Sequence, residues 1–139
     1  MKLNVGIATK GRPEILAESL ALLEQQNRLP DRVIICAASE SDVPTTAIAA
    51  SSLNIELVYG PSGSSHQRNT IIRASKDADV ILFMDDDFFP SHDYLENCEQ
   101  LFRQRTNVVG ATGDVLADGV NGPGLSSKDA KTILDNNRT

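Results

Sequence analysis

The sequence places three consecutive carboxylates, Asp85-Asp86-Asp87, directly after the apolar run Val80-Ile81-Leu82-Phe83-Met84. Two unit charges about 5 Å apart repel by roughly 3 kcal/mol at an effective dielectric near 20. Three carboxylates at the end of a buried strand therefore call for a cation; the alternative is a solvated acidic turn that caps the next helix. Mg2+ or Mn2+ suits such a site, because one or two carboxylates suffice when water and phosphate oxygens complete the shell. Strand side chains alternate between faces. Asp85 and Asp87 are thus expected to share one crevice, with Asp86 pointing away.

Other loops carry groups that suit an anion. Thr9, Lys10 and Arg12 form a small basic cluster that could meet a diphosphate or simply be solvated. Gly60-Pro61-Ser62-Gly63-Ser64-Ser65 is rich in small residues but lacks the Gly-Lys-Ser/Thr ending of a Walker loop. It still opens a helix, whose first N–H groups favour phosphate. Arg68 falls in the first turn of that helix, where a cation opposes the helix dipole unless an anion is nearby. Ser39, Glu40 and Asp42 follow a second apolar run. His66 and His92 are isolated, and Cys36 and Cys98 read as packing residues. Two cysteines are too few for a disulfide framework or a cysteine zinc site, so a reducing, cytoplasmic setting is the default expectation.

The elements that position these groups alternate regularly. Strands are expected at 3–8, 32–37, 54–59, 80–84 and 107–112, the run at 80–84 being read as buried. Helices are expected from Pro13 with Ile15, Leu16, Leu20 and Leu23 on one face, from Ser41 through Ala50, over 66–77 with Ile71, Ile72 and Ala74 inward, over 91–105, and over 129–136. This alternation implies an α/β fold, a mostly parallel sheet with helices on both faces. Ligands in such sheets bind beyond the carboxyl ends of the strands, and every polar loop named above lies at such an end.

Composition bounds the function. With 40% hydrophobic and 23% charged residues, the 139-residue chain is neither a disordered tail nor a membrane span, and its length suits one domain or part of one. The net charge of −6 falls entirely in residues 74–139, which hold six basic and twelve acidic residues. That balance argues against general nucleic-acid binding and favours a cation site. No apolar segment indicates membrane association.

Four segments in order resemble the N-terminal half of family 2 glycosyltransferases of the GT-A type, a Rossmann-like nucleotide-diphospho-sugar transferase fold. These are Val5 to Arg12, with its Thr-x-x-Arg turn; Asp31 to Ile35 with Asp42; Gly63 through Arg68-Asn69, similar to a Gly…Ala-Arg-Asn segment; and Val80 to Asp87 with Pro90, Tyr94 and Leu95, similar to the DxD segment. The resemblance covers about residues 3–115 and implies a nucleotide-diphosphate sugar donor, UDP-linked by default. It also implies an acceptor hydroxyl on a saccharide, a lipid-linked or another molecule. Thr9 and Arg12 would line the nucleotide pocket, Arg68 would approach the ribose or diphosphate, Asp85 the ribose or sugar, and Asp87 would hold the metal; Asp86 is counted with the donor-binding set.

Two departures stand out. Where the family carries an acidic pair that reads uracil, this chain has Ala37-Ala38, followed by Ser39-Glu40-Ser41-Asp42, so Ser39, Glu40 or Asp42 would take that part. The family's general base belongs to the acceptor half, and only Asp114 and Asp118 are acids near the end of the matching region. The expectation is a donor-binding domain at 1–117 and, at 118–139, a Gly-rich segment with a terminal helix that begins an acceptor half. On this expectation the fold is incomplete and the chain lacks its base. A nucleotide-binding module without turnover is the first alternative. A haloacid-dehalogenase-like phosphohydrolase, with Asp85 as nucleophile, is the second.

Overall fold

The computed structural model describes residues 1–116 and 126–136. The chain forms two compact units, Met1–Glu99 and Gln100–Thr139.

The first unit is built on four parallel strands, β1 (Leu3–Thr9), β2 (Arg32–Ala37), β3 (Ile55–Tyr59) and β4 (Val80–Asp85), in the order β3-β2-β1-β4. β1 lies inside the sheet, with Ala8 in register with Cys36 on one side and Asp85 on the other. Helices α1 (Pro13–Leu23), α2 (Thr45–Ala50) and α3 (Ser64–Ala74), and the start of α4 (Tyr94–Gln104), cover the two faces.

Strand alternation divides the core. Leu3, Val5, Ile7, Val33 and Ile35 pack with Leu16, Leu20 and Leu23 of α1 and Leu95 of α4. Ile34 and Cys36 pack on the other face with Ile71 of α3. Burying each such side chain contributes about 1.5–3 kcal/mol. Pro13 opens α1, a position that needs no N–H partner. On the α3 face, Gly6 is the close approach. A Cβ there would lie 2.6 Å from Ile71 Cγ2, so only glycine lets the helix settle on β1.

Three expectations change. The run at 80–84 is an edge strand of the described sheet, and Phe83 is exposed on it, because no further strand covers that side. Ile72 is exposed, since the inward stripe of α3 runs through Gln67 and Ile71 instead. Residues 107–112 form no strand, and Val109 is fully exposed, so their β-propensity is not realised.

In the second unit, α4 ends with Arg105 N–H donating to the Leu101 carbonyl. Helix α5 (Ser127–Asn136) is capped reciprocally: Asp129 N–H donates to Ser126 Oγ, and Ser126 N–H donates to Asp129 Oδ2. The Gly-rich stretch 118–124, with Asp118, lies outside the described residues. No helix among the described residues is long and apolar enough to cross a membrane.

Candidate functional site

The loops beyond the carboxyl ends of β1, β2 and β4, together with the first two turns of α3, carry the candidate residues; α3 begins at Ser64, so Arg68 stands in its second turn, not its first. After β4 the chain turns at once, Phe88 N–H donating to the Asp85 carbonyl. The alternation of exposed and buried side chains persists through the turn, so Asp85 and Asp87 stay on the open side and Asp86 lies opposite them. It is Asp86 that points inward, 2% exposed, while the side chains of Asp85 and Asp87 are 72% and 52% exposed.

Asp86 is held from three sides. Thr9 Oγ1 donates to its Oδ2 at 2.9 Å. Ser19 of α1 donates its hydroxyl to the Asp86 carbonyl. Arg12 Nη2 forms an ion pair with Oδ1 at 2.5 Å. Burial pushes the Asp86 carboxyl above its ordinary value; Thr9 and Arg12 oppose that rise, and the neighbouring Asp87 adds to it. Arg12 reaches Asp87 as well, Nη1 to Oδ2 at 3.3 Å, and its side chain remains half-exposed. Thr9, Arg12, Asp86 and Asp87 thus form one cluster.

Arg68 and Asp85 form a second, looser pair at 3.5 Å, with the guanidinium 5.9 Å from the centre of the Phe83 ring. Both partners are exposed, where such a pair contributes about 0–1 kcal/mol. The arginine is therefore readily available to another anion.

Asp42 is occupied by the protein itself. Its Oδ1 accepts Gly11 N–H at 2.7 Å, and its Oδ2 accepts the N–H groups of Ala38 and Ser39 at 3.1 and 2.8 Å and the Ser39 hydroxyl at 3.3 Å. The Gly11 bond leads the set of donors that hold its carboxyl below the usual carboxylate range. Gly11 adopts φ +69°, a left-handed conformation suited to glycine, which turns its N–H toward Asp42. Asp42 therefore joins the loop after β1 to the loop after β2. Ser39 is exposed, its hydroxyl also 2.8 Å from that of Ser41, and Glu40 is exposed beside it. Lys10 donates to Ser62 at 2.9 Å, bringing the Gly-rich loop alongside.

Two buried polar residues escaped the sequence reading. Ser19 lies on the α1 face of Leu16, Leu20 and Leu23, and Gln67 lies on the α3 face of Ile71; a polar residue at an inward helical position was the available signal. Gln67 Nε2 donates to the carbonyls of Thr9 and Cys36 at 2.9 and 3.1 Å.

Among the described residues, no group of three or more His, Cys, Asp or Glu side chains converges to hold a metal ion. The exposed carboxylates of Asp85 and Asp87 fit an ion whose other ligands are phosphate and water rather than a protein cage.

A family model described as Glycosyl transferase family 2 matches residues 4–137. The chain belongs to that family. Its fold is the GT-A fold: the S. aureus TarS 1-349 structure in complex with UDP-GlcNAc superposes with a TM-score of 0.61 at 18% identity, covering 88% of this chain and 42% of that one. A longer S. aureus TarS structure gives a TM-score of 0.59 at 16% identity, covering 88% and 26%. This family 2 chain thus spans less than half the length of those TarS structures. No curated protein matches it. The matching family is one of glycosyl transferases, and no match points to the phosphohydrolase reading of Asp85.

Proposed function

We propose that this chain is the donor-binding portion of an inverting transferase that moves a sugar from a nucleotide diphosphate, UDP by default, to an acceptor hydroxyl. The observation that carries the reading is the presentation of Arg12 and Arg68, each about half-exposed and loosely engaged on its open side, next to exposed Asp85 and Asp87 at the carboxyl end of a parallel sheet. Two guanidinium groups suit a diphosphate, which each can grip through paired N–H donors.

In this proposal Arg12 and Arg68 bind the diphosphate side, Asp85 meets the ribose or sugar, and Ser39 with Glu40 lies where the base is read. Thr9, Asp42 and Asp86 stand behind them and fix the loops. Asp87 is the residue that would hold Mg2+ or Mn2+. Such an ion, when bound, supplies Lewis-acid stabilisation of charge on the departing nucleotide. The GT-A neighbour bound to UDP-GlcNAc supports a nucleotide-sugar donor. Residues 1–117 are proposed as the donor domain and 118–139 as the start of an acceptor-binding part, and the general base is assigned to that part outside these 139 residues.

A panel of nucleotides and nucleotide sugars, read by thermal shift and titration calorimetry with Mn2+, Mg2+ or chelator, tests the reading. A ligand that binds only the folded state raises the midpoint. Uridine diphosphates are expected to bind, and more tightly with the cation. No response to any nucleotide diphosphate would sink the proposal, and binding without transfer in a longer chain would favour a module without turnover.

A further inference from the structure

We infer that Gln67 is a positioning residue that sets the spacing of the loops after β1 and β2 and, through its neighbour Arg68, the place of the diphosphate-binding arginine. The inference rests on the donor-binding reading above. The side chain of Gln67 is 4% exposed, and its single Nε2 serves two carbonyls, Thr9 at 2.9 Å and Cys36 at 3.1 Å. A primary amide nitrogen has two hydrogens, so this donor is fully used.

The place of those carbonyls gives the contact its meaning. Thr9 and Ala37 are the last register pair of β1 and β2. Beyond Thr9 the chain leaves for Lys10, Gly11 and Arg12; beyond Ala37 it leaves for the turn closed by Asp42. The two strands part at this point, and the amide on α3 stands where they part, bonded to both. Asp42 makes the next connection outward, from Gly11 N–H to the N–H groups of Ala38 and Ser39. Gln67 also sits in the turn that carries Arg68, its own N–H donating to the Gly63 carbonyl. One buried amide thereby couples two loop origins to the helix turn bearing Arg68. An apolar side chain of equal size would fill the space and remove the side-chain donor that both carbonyls share.

The test compares Gln67→Met and Gln67→Glu with the wild-type chain. Hydrogen exchange needs no ligand. Gln67→Met should speed exchange at Gly11, Ala38 and Ser39 about tenfold, the effect expected from one buried carbonyl losing its donor, with β4 and α1 unchanged. In calorimetry with UDP and Mn2+, Gln67→Met should weaken binding about tenfold. Combined with Arg68→Gln it should add less than its single effect, because both variants disturb one arrangement. Gln67→Glu faces two carbonyls with a carboxylate at neutral pH. Its affinity should recover part of the loss as the pH is lowered and the carboxyl gains a proton to donate. Unchanged exchange at the three amides, exchange raised evenly across the sheet, or strictly additive effects with Arg68→Gln would each overturn the inference. If the wild-type chain binds no nucleotide, the donor reading fails by itself, and the exchange arm still decides whether Gln67 holds the two loops.

Discussion

Thr9 Oγ1 and Asp86 Oδ2, 77 positions apart in the chain, share a buried hydrogen bond of 2.9 Å. It joins the end of an inner strand to the turn after an edge strand, and Arg12 closes over the same carboxylate. Thr9→Val keeps the β-branched shape and removes the donor. It should cost about 1–3 kcal/mol, the usual penalty for leaving a buried acceptor short of a partner. Urea denaturation measures this, and an unchanged midpoint would mean that the hydroxyl contributes nothing.

Asp42 gives the chain an acid-sensitive joint. Its folded carboxyl titrates below the ordinary value of 3.8, chiefly because Gly11 N–H donates to it. The stability it contributes is present above that unfolded value and is lost as the pH falls through the lowered folded value. Asp86, raised by burial, works in the opposite sense: its ionisation costs stability as the pH climbs above 3.8. Asp42→Asn should flatten the acid limb of a stability–pH profile taken by denaturant titration. A mutant limb as steep as the wild type's would remove Asp42 from this role.

Gly6→Ala tests the seat of α3. The added methyl would lie 2.6 Å from Ile71 Cγ2, and overpacking of this kind typically costs about 1–3 kcal/mol. Thermal unfolding should show the loss, and in an Ile71→Ala background, which removes Cγ2, the added cost of Gly6→Ala should largely disappear. Failure of that second substitution to relieve the first would place the strain elsewhere.

Asp87→Ala removes an exposed carboxylate that makes one ion pair, with Arg12. The fold should survive with a midpoint close to wild type. Nucleotide affinity should no longer depend on Mn2+ or Mg2+. Calorimetry with and without chelator decides the matter, and an equal cation response in mutant and wild type would end the assignment of Asp87.

The architecture was legible because its signals are local and repeated. Continuous apolar runs at Val33-Ile34-Ile35 and spaced leucines in α1 each name an element, and their alternation gives a parallel sheet with both faces covered. The first departure is the strand expected at 107–112, where the β-propensity of the valines is not realised. The second is Asp86. Alternation placed it opposite Asp85 and Asp87, but sequence alone did not show that this side is buried against Thr9 and Ser19. The residues of the site could be located from their loops, whereas their division into exposed and buried groups could not. Asp42 and Thr9 look like ligand-facing polar residues in sequence and are spent on the protein. Gln67 and Ser19 look incidental and are buried ties, because such roles depend on contacts across dozens of positions.

The strand order β3-β2-β1-β4 also fixes a sequence of events. β1 is made first, and its neighbour on one side is β4, separated from it by three helices and two strands. Thr9 and Arg12 therefore emerge from synthesis long before the acidic turn that will hold them. Parallel pairings over such separations form late, because the loop must close before the contact rewards it. The end of the sheet that carries Thr9 and Arg12 consequently cannot mature until β4 has been made. Until residue 87 has appeared and β4 has docked, Arg12 is without Asp86 and Asp87, the acidic partners it holds in the finished fold.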